Sequence, residues 1–186
     1  MKRICVYCGS SYGKLPVYTE AAKALANAMT DRGIGLVYGG ASVGIMGVVA
    51  DSVLAAGGDV IGVIPQSMAD REIAHTGLTE LKVVSDMHER KAMMADCSDG
   101  FIALPGGLGT MEELFEVWTW AQLGFHDKAL GLMNVAGYYD HLLAFIDHAV
   151  DQEYVRVAQQ KSLLVDAEPV ALVDKMLSYR SVPGHA

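Results

Sequence analysis

Three glycine-rich stretches and one charged segment hold the residues whose types and spacing suit chemistry. The stretches are Cys8-Gly9-Ser10-Ser11, Tyr38-Gly39-Gly40-Ala41-Ser42-Val43-Gly44-Ile45-Met46-Gly47 and Leu104-Pro105-Gly106-Gly107-Leu108-Gly109-Thr110. Glycine lets backbone amides approach a ligand closely, and the free N–H groups of a following helix attract anions. The three stretches therefore predict a phosphate or nucleotide site, with Ser10 and Gly40 in its wall. Glu112 and Glu113 come next, in the first turn of a helix expected to open at Thr110. Such carboxylates either complement the helix dipole or, just past a phosphate cradle, reach the sugar of a nucleoside monophosphate. In Asp86-Met87-His88-Glu89-Arg90-Lys91-Ala92-Met93-Met94, a helix would put Met87, Arg90 and Met94 on one face. Arg90 then interrupts an apolar stripe, and a buried guanidinium needs an anionic partner. It is either a structural ion pair, for which Glu113 is a candidate, or an active-site cation, and the two roles are compatible.

Other chemistries are poorly supported. The six histidines are scattered and no H-E-x-x-H occurs, so no metal site is expected; His141 and His148 read as surface or satisfied residues. Ser10 and Ser11 lack the G-x-S-x-G elbow of a hydrolase triad. No G-x-x-x-x-G-K-[ST] loop is present, which disfavours an NTPase. A nicotinamide-dependent oxidoreductase needs an acidic ribose anchor after the second strand, which instead ends in Tyr38-Gly39-Gly40. Cys5-x-x-Cys8 lies inside an apolar run with no second pair at zinc-ribbon spacing, so both read as small buried strand residues.

Positioning these loops requires alternating strands and helices. Apolar runs at Ile4–Cys8, Ile34–Tyr38, Val60–Ile64, Leu81–Val84, Phe101–Leu104, Ala129–Met133 and Leu163–Val165 read as strands. Helical patterns fall at Pro16–Arg32, Gly44–Ala56, Asp86–Cys97, Thr110–Phe125, Tyr138–Gln152 and Pro169–Tyr179, with Ser67–Gly77 as a loop or lid carrying Asp70, Arg71, Glu72 and His75. Short strands alternating with longer helices specify right-handed βαβ units. The expected fold is α/β: one doubly wound, Rossmann-like domain over residues 1–180, a parallel sheet with helices on both faces, and a frayed tail at 181–186. Ligands of such sheets bind at the carboxyl edge of the strands.

Composition agrees. In 186 residues, 52% hydrophobic and 19% charged content excludes disorder and coiled coil, and a net charge of −8 argues against a nucleic-acid partner. Three cysteines cannot all pair internally. No apolar stretch reaches ~18 uninterrupted residues and no signal peptide opens the chain, so no membrane association is expected and the cytoplasm is the default location. In the helix from Thr110, Met111, Leu114, Trp118 and Ala121 form one stripe, widened by Val117, Trp120 and Leu123. That exceeds one sheet contact and suggests a subunit interface.

Two motifs carry a specific resemblance. Pro105-Gly106-Gly107-Leu108-Gly109-Thr110-Met111-Glu112-Glu113 matches P-G-G-x-G-T-x-x-E, and Met87-His88-Glu89-Arg90-Lys91 matches M-H-x-R-K. With the opening Cys5–Ser11 segment and Gly137-Tyr138-Tyr139, the chain resembles the Lonely Guy family of cytokinin riboside 5′-monophosphate phosphoribohydrolases. The resemblance implies hydrolysis of the N-glycosidic bond of an N6-modified AMP, and of AMP, to free base and ribose 5-phosphate. It implies no metal or redox cofactor and a homodimer whose sites are bordered by both subunits. It makes Arg90 and Glu113 the catalytic pair, and adds Glu72, Lys91, Gly107, Leu108, Gly109, Thr110, Met111, Glu112 and Thr119 as binding residues. Some relatives carry the label lysine decarboxylase; that reaction needs an electron sink such as pyridoxal phosphate, and no Schiff-base lysine stands out. The alternative in another class is a nucleotide-sensing module that binds without cleaving.

Overall fold

Aliphatic and β-branched runs of four to six residues form the strands. The computed structural model describes residues 1–69 and 73–180. Among them, β1 (Arg3–Tyr7), β2 (Gly35–Tyr38), β3 (Val60–Pro65), β4 (Glu80–Val84), β5 (Gly100–Ala103), β6 (Ala129–Met133) and β7 (Leu163–Asp166) pair in one sheet. The order is β4-β3-β2-β1-β5-β6-β7 and every pairing is parallel. Central strands β2, β3, β5 and β6 are buried along their whole length, which is why they read as continuous apolar runs. Edge strand β4 is mostly exposed and carries the Lys82–Glu80 ion pair, a charged edge that discourages pairing with another chain.

Side chains alternate between two core layers. Ile4, Val6, Leu36 and Tyr38 pack on one face against α1 (Pro16–Thr30), α2 (Gly44–Ala55) and α8 (Pro169–Ser178). Cys5, Tyr7, Val37 and Phe101 pack on the other against α4 (Met87–Asp96), α5 (Leu108–Gln122) and α6 (Asp140–Asp151), with α7 (Val157–Ser162) beside α6. Cys5 and Cys8 are buried and free, as expected of small strand residues. No helix among the described residues is long and apolar enough to cross a membrane.

The chain winds from β1 outward to β4, then returns to β5 on the other side of β1. The β1 and β5 loops therefore diverge at a topological switch point, where open α/β sheets bind ligands. Gly9 N–H donates to Pro105 O at 3.2 Å and ties the two loops together.

Several boundaries differ from expectation. The first three residues of the expected 67–77 loop are helical instead, part of α3 (Gln66–Ala69), and an isolated antiparallel bridge joins Ala41 to Ala74. Helix α6 begins at Asp140 rather than Tyr138. A 3-10 turn over Val135–Gly137, with Gly137 at φ 71°, intervenes, and the Asn134 side chain bonds both Tyr139 N–H and the Asp140 carboxylate. Helix α7 is six residues long, too short for a period to show, and is held by the Arg156–Gln159 capping contacts. Glu72 and the 181–186 tail lie outside the described residues.

Candidate active site

The anion cradle is the amino end of α5. Its N-cap, Gly107, is extended and offers no side-chain cap, so the first-turn amides lack a side-chain acceptor. Gly107, Leu108 and Gly109 are exposed and Thr110 is buried. A Cβ on Gly106 would overlap the Thr110 side chain, so the turn closes only with glycine there. Tyr138 Oη donates to Gly106 O and Tyr139 Oη to Leu104 O, each at 2.6 Å, bracing the loop. Because the helix opens at Leu108 and not Thr110, its first turn contains no acid, and Glu112 and Glu113 stand in the second. Helix-dipole effects fade beyond the first turn, so the dipole reading of Glu112 loses its basis. The first turn is left open to an anion.

Arg90 reaches the site from α4. Asp86 caps that helix by accepting from Glu89 N–H, while the Glu89 carboxylate accepts from Ser85 N–H, a reciprocal arrangement that fixes the helix start. One turn on, Arg90 is 8% exposed. Its Nη1 donates to Glu113 Oε1 at 2.8 Å and its Nε to the β3 carbonyl of Val63 at 3.2 Å. A Cβ on Gly39 would overlap Arg90 Nη2, so the β2 loop needs glycine to admit the guanidinium. Met94 is buried beside Arg90, but Met87, in the first turn of α4, is exposed at the cavity rim and does not share the buried stripe.

Glu113 is 9% exposed. Burial pushes its carboxyl above the usual range, against the opposing pull of the Arg90 guanidinium. The ion-pair and active-site readings of Arg90 thus meet in one contact. Separating such a buried pair by removing one partner costs about 3–5 kcal/mol. Next to it, Lys91 Nζ donates to Glu112 Oε1 at 2.6 Å and Glu116 Oε1 at 3.0 Å.

A cavity of about 250 Å³ is walled by Cys8, Ser10, Met46, Met87, Arg90, Glu112 and Glu113 together with 107–110. A second, of about 230 Å³, shares Gly9, Ser10 and Gly107 with it and extends to Tyr12, Tyr18 and Tyr138. Together they reach the ~300–1,000 Å³ usual for small-molecule sites. A larger hollow of about 640 Å³ opens between Met1, Asp99, Lys128 and Arg180, near the amino ends of β1 and β5 and away from this chemistry. No group of three or more His, Cys, Asp or Glu among the described residues is arranged to hold a metal ion.

The structure brings Arg90, Glu113, Glu112, Ser10 and 107–110 to one wall. Lys91 touches that wall through Glu112. Met111 is half-buried, outside the cavity lining. Gly40 also lies away from it: its carbonyl accepts from His75 N–H, and a Cβ there would press on Ile64 and Leu81. Thr119 is on an exposed face of α5, its hydroxyl bonded to Phe115 O. Sequence reasoning did not single out Gly39, Met46 or Glu116. A glycine pair at a strand end and a third carboxylate one turn after Glu112 were the available signals.

Fold and site define a Rossmann-like α/β protein with an anion cradle beside a buried guanidinium–carboxylate pair. A family model described as "possible lysine decarboxylase" matches residues 46–176. The chain is 51% identical over 181 residues to a cytokinin riboside 5′-monophosphate phosphoribohydrolase of Arabidopsis thaliana, covering 97% of this chain and 79% of that one. It is 52% identical over 178 residues to a probable enzyme of the same name from Oryza sativa subsp. japonica, covering 96% and 73%. The chain belongs to this phosphoribohydrolase family, the Lonely Guy family. Among solved structures, a molybdenum cofactor binding protein of Rippkaea orientalis aligns with a TM-score of 0.72 at 20% identity, covering 96% of this chain and 97% of that one. The molybdenum cofactor carrier protein of Chlamydomonas reinhardtii aligns at 0.71 and 20%, covering 96% and 99%; both show the shared fold alone.

Proposed function

We propose that the protein hydrolyses the N-glycosidic bond of N6-modified AMP, and of AMP, releasing the free base and ribose 5-phosphate. The observation that carries this reading is the buried Arg90–Glu113 contact of 2.8 Å beside the acid-free amino end of α5. The 5′-phosphate sits on the amides of Gly107, Gly109 and Thr110, and this remote binding orients the scissile bond. As the C1′–N9 bond breaks, its electron pair leaves with the purine and positive charge develops on the ribose. Glu113, ionised, stabilises that charge and aligns the attacking water, whose hydroxyl adds to C1′ while its proton goes to the departing base. Arg90 holds Glu113 in place and opposes, without cancelling, the effect of burial on its carboxyl. Met46 and Met87 give the base and its N6 group a deformable apolar wall.

The decarboxylase description of the family does not suit Lys91. Burial would lower its pKa, but hydrogen bonds to Glu112 and Glu116 outweigh it and hold the ammonium above its ordinary value. A Schiff-base lysine needs the opposite.

The same reading includes a homodimer. Leu108 is 91% exposed beside the cradle, and Phe115, Leu123 and Phe125 are exposed along and after α5, with Thr119 among them. A second copy laid on this face would cover them and bring Thr119 to the border of a site. Leu114, Val117 and Trp118, expected to share in that interface, are instead buried in the chain's own core, where Trp118 donates to Ser162 Oγ; the half-buried Trp120 and the exposed Leu123 remain for it. Three free cysteines suit a reducing compartment such as the cytoplasm. The test is Glu113→Gln: turnover should be lost while AMP still binds, and full activity would remove Glu113 from the mechanism.

A further inference from the structure

Beside the Arg90–Glu113 pair, a second set of charges joins α4 to α5. The Lys91 side chain is only 12% exposed and lies between two carboxylates, Glu112 at 2.6 Å and Glu116 at 3.0 Å. The two differ. Glu112 is 54% exposed and stands on the cavity wall. Glu116 lies one turn further along α5, is 25% exposed and does not reach the cavity. Its second oxygen, Oε2, is buried without a hydrogen-bond partner among the described residues. Leaving a buried acceptor unsatisfied costs free energy, and one carboxylate would be enough to neutralise Lys91. The second carboxylate becomes necessary only when the first leaves.

We propose that Glu116 is a positioning residue for nucleotide binding. It keeps Lys91 paired and in place while Glu112 releases the ammonium and turns to the ribose hydroxyls of the bound nucleotide. The proposal rests on the phosphoribohydrolase reading above. Without Glu116, every binding event that drew Glu112 into the cavity would strand a nearly buried ammonium, and that penalty would appear as weaker binding. With Glu116, the ammonium exchanges two partners for one and stays neutralised. Glu113 cannot take this part, because its carboxylate is already paired with Arg90 at 2.8 Å.

The experiment compares wild type, Glu116→Gln, Lys91→Met and the double variant, by steady-state base release from AMP and by calorimetric AMP binding. Glu116→Gln should raise KM and the AMP dissociation constant about tenfold while kcat moves less than about twofold, the pattern of lost uniform binding. On the Lys91→Met background the same substitution should add less than about twofold, because no ammonium is left to strand. A residue that merely held two helices together would lower the melting temperature and add its full effect on either background. Wild-type KM in Glu116→Gln, or an undiminished effect on the Lys91→Met background, overturns the proposal. If Glu116→Gln does not fold, the comparison of the double variant with Lys91→Met still decides. A wild type that binds AMP without cleaving it overturns the phosphoribohydrolase reading, and the Lys91–Glu116 coupling is then read from the dissociation constants alone.

Discussion

Gly39→Ala tests how the β2 loop sets the geometry of the site. The added methyl would overlap Arg90 Nη2, and the guanidinium cannot simply swing aside because Nη1 is bonded to Glu113 and Nε to Val63 O. Either the β2 loop moves outward or Arg90 gives up part of its contact with Glu113. A displacement of ~1 Å in a catalytic group costs about 10²-fold in rate, equivalent to ~2.7 kcal/mol of transition-state stabilisation. Overpacking of this kind destabilises the fold by about 1–3 kcal/mol, and each kcal/mol lowers Tm by ~2–4 °C in a chain of this size. The assay is kcat/KM for base release from AMP, with thermal denaturation of the same samples. The expected result is a loss near two orders of magnitude, falling mainly on kcat, with a melting temperature lowered by only several degrees. Activity within about threefold of wild type would refute the claim that Gly39 is required for the placement of Arg90.

Three further outcomes are expected. Burial holds the Glu113 carboxyl above its ordinary value, so the folded chain keeps a proton that the unfolded chain has released. The stability from this group is full below the ordinary carboxylate range and is lost as pH rises through the raised pKa. The unfolding free energy of wild type minus that of Glu113→Gln, from denaturant titrations between about pH 4 and 7, should therefore fall with rising pH, and a flat difference would contradict it. Burial also pushes the Cys5 and Cys8 thiols up, so a colourimetric thiol reagent should titrate Cys97 alone in the native protein and all three after denaturation. Trp120→Ala should weaken self-association, and an unchanged mass by light scattering would place the interface elsewhere.

Fold class was legible because parallel strands buried on both faces leave apolar runs that turn chemistry punctuates, as at Ala129–Met133, whose limits match expectation. Boundaries set by side-chain hydrogen bonds were not, as the Asn134 contacts before α6 illustrate. The start of α5 depends on Leu108 and Gly109 accepting helical geometry after an extended Gly107, which local glycine content argued against. That two-residue error misplaced Glu112 relative to the dipole. Arg90 and Glu113 were readable from a charge on an apolar stripe and a carboxylate past a phosphate loop. The Lys91 bridge was not, because it depends on the facing of α4 and α5, which no single helix's periodicity encodes.

The roles proposed for Arg90, Glu113 and the amino end of α5 all depend on cleavage of the glycosidic bond. Its most direct test is chromatography of AMP and N6-isopentenyl-AMP after incubation with purified, metal-free protein. Free base and ribose 5-phosphate are expected from both, released faster from the prenylated nucleotide. Measurable binding of both nucleotides with no base released from either would contradict it, leaving a fold that senses nucleotides rather than one that hydrolyses them.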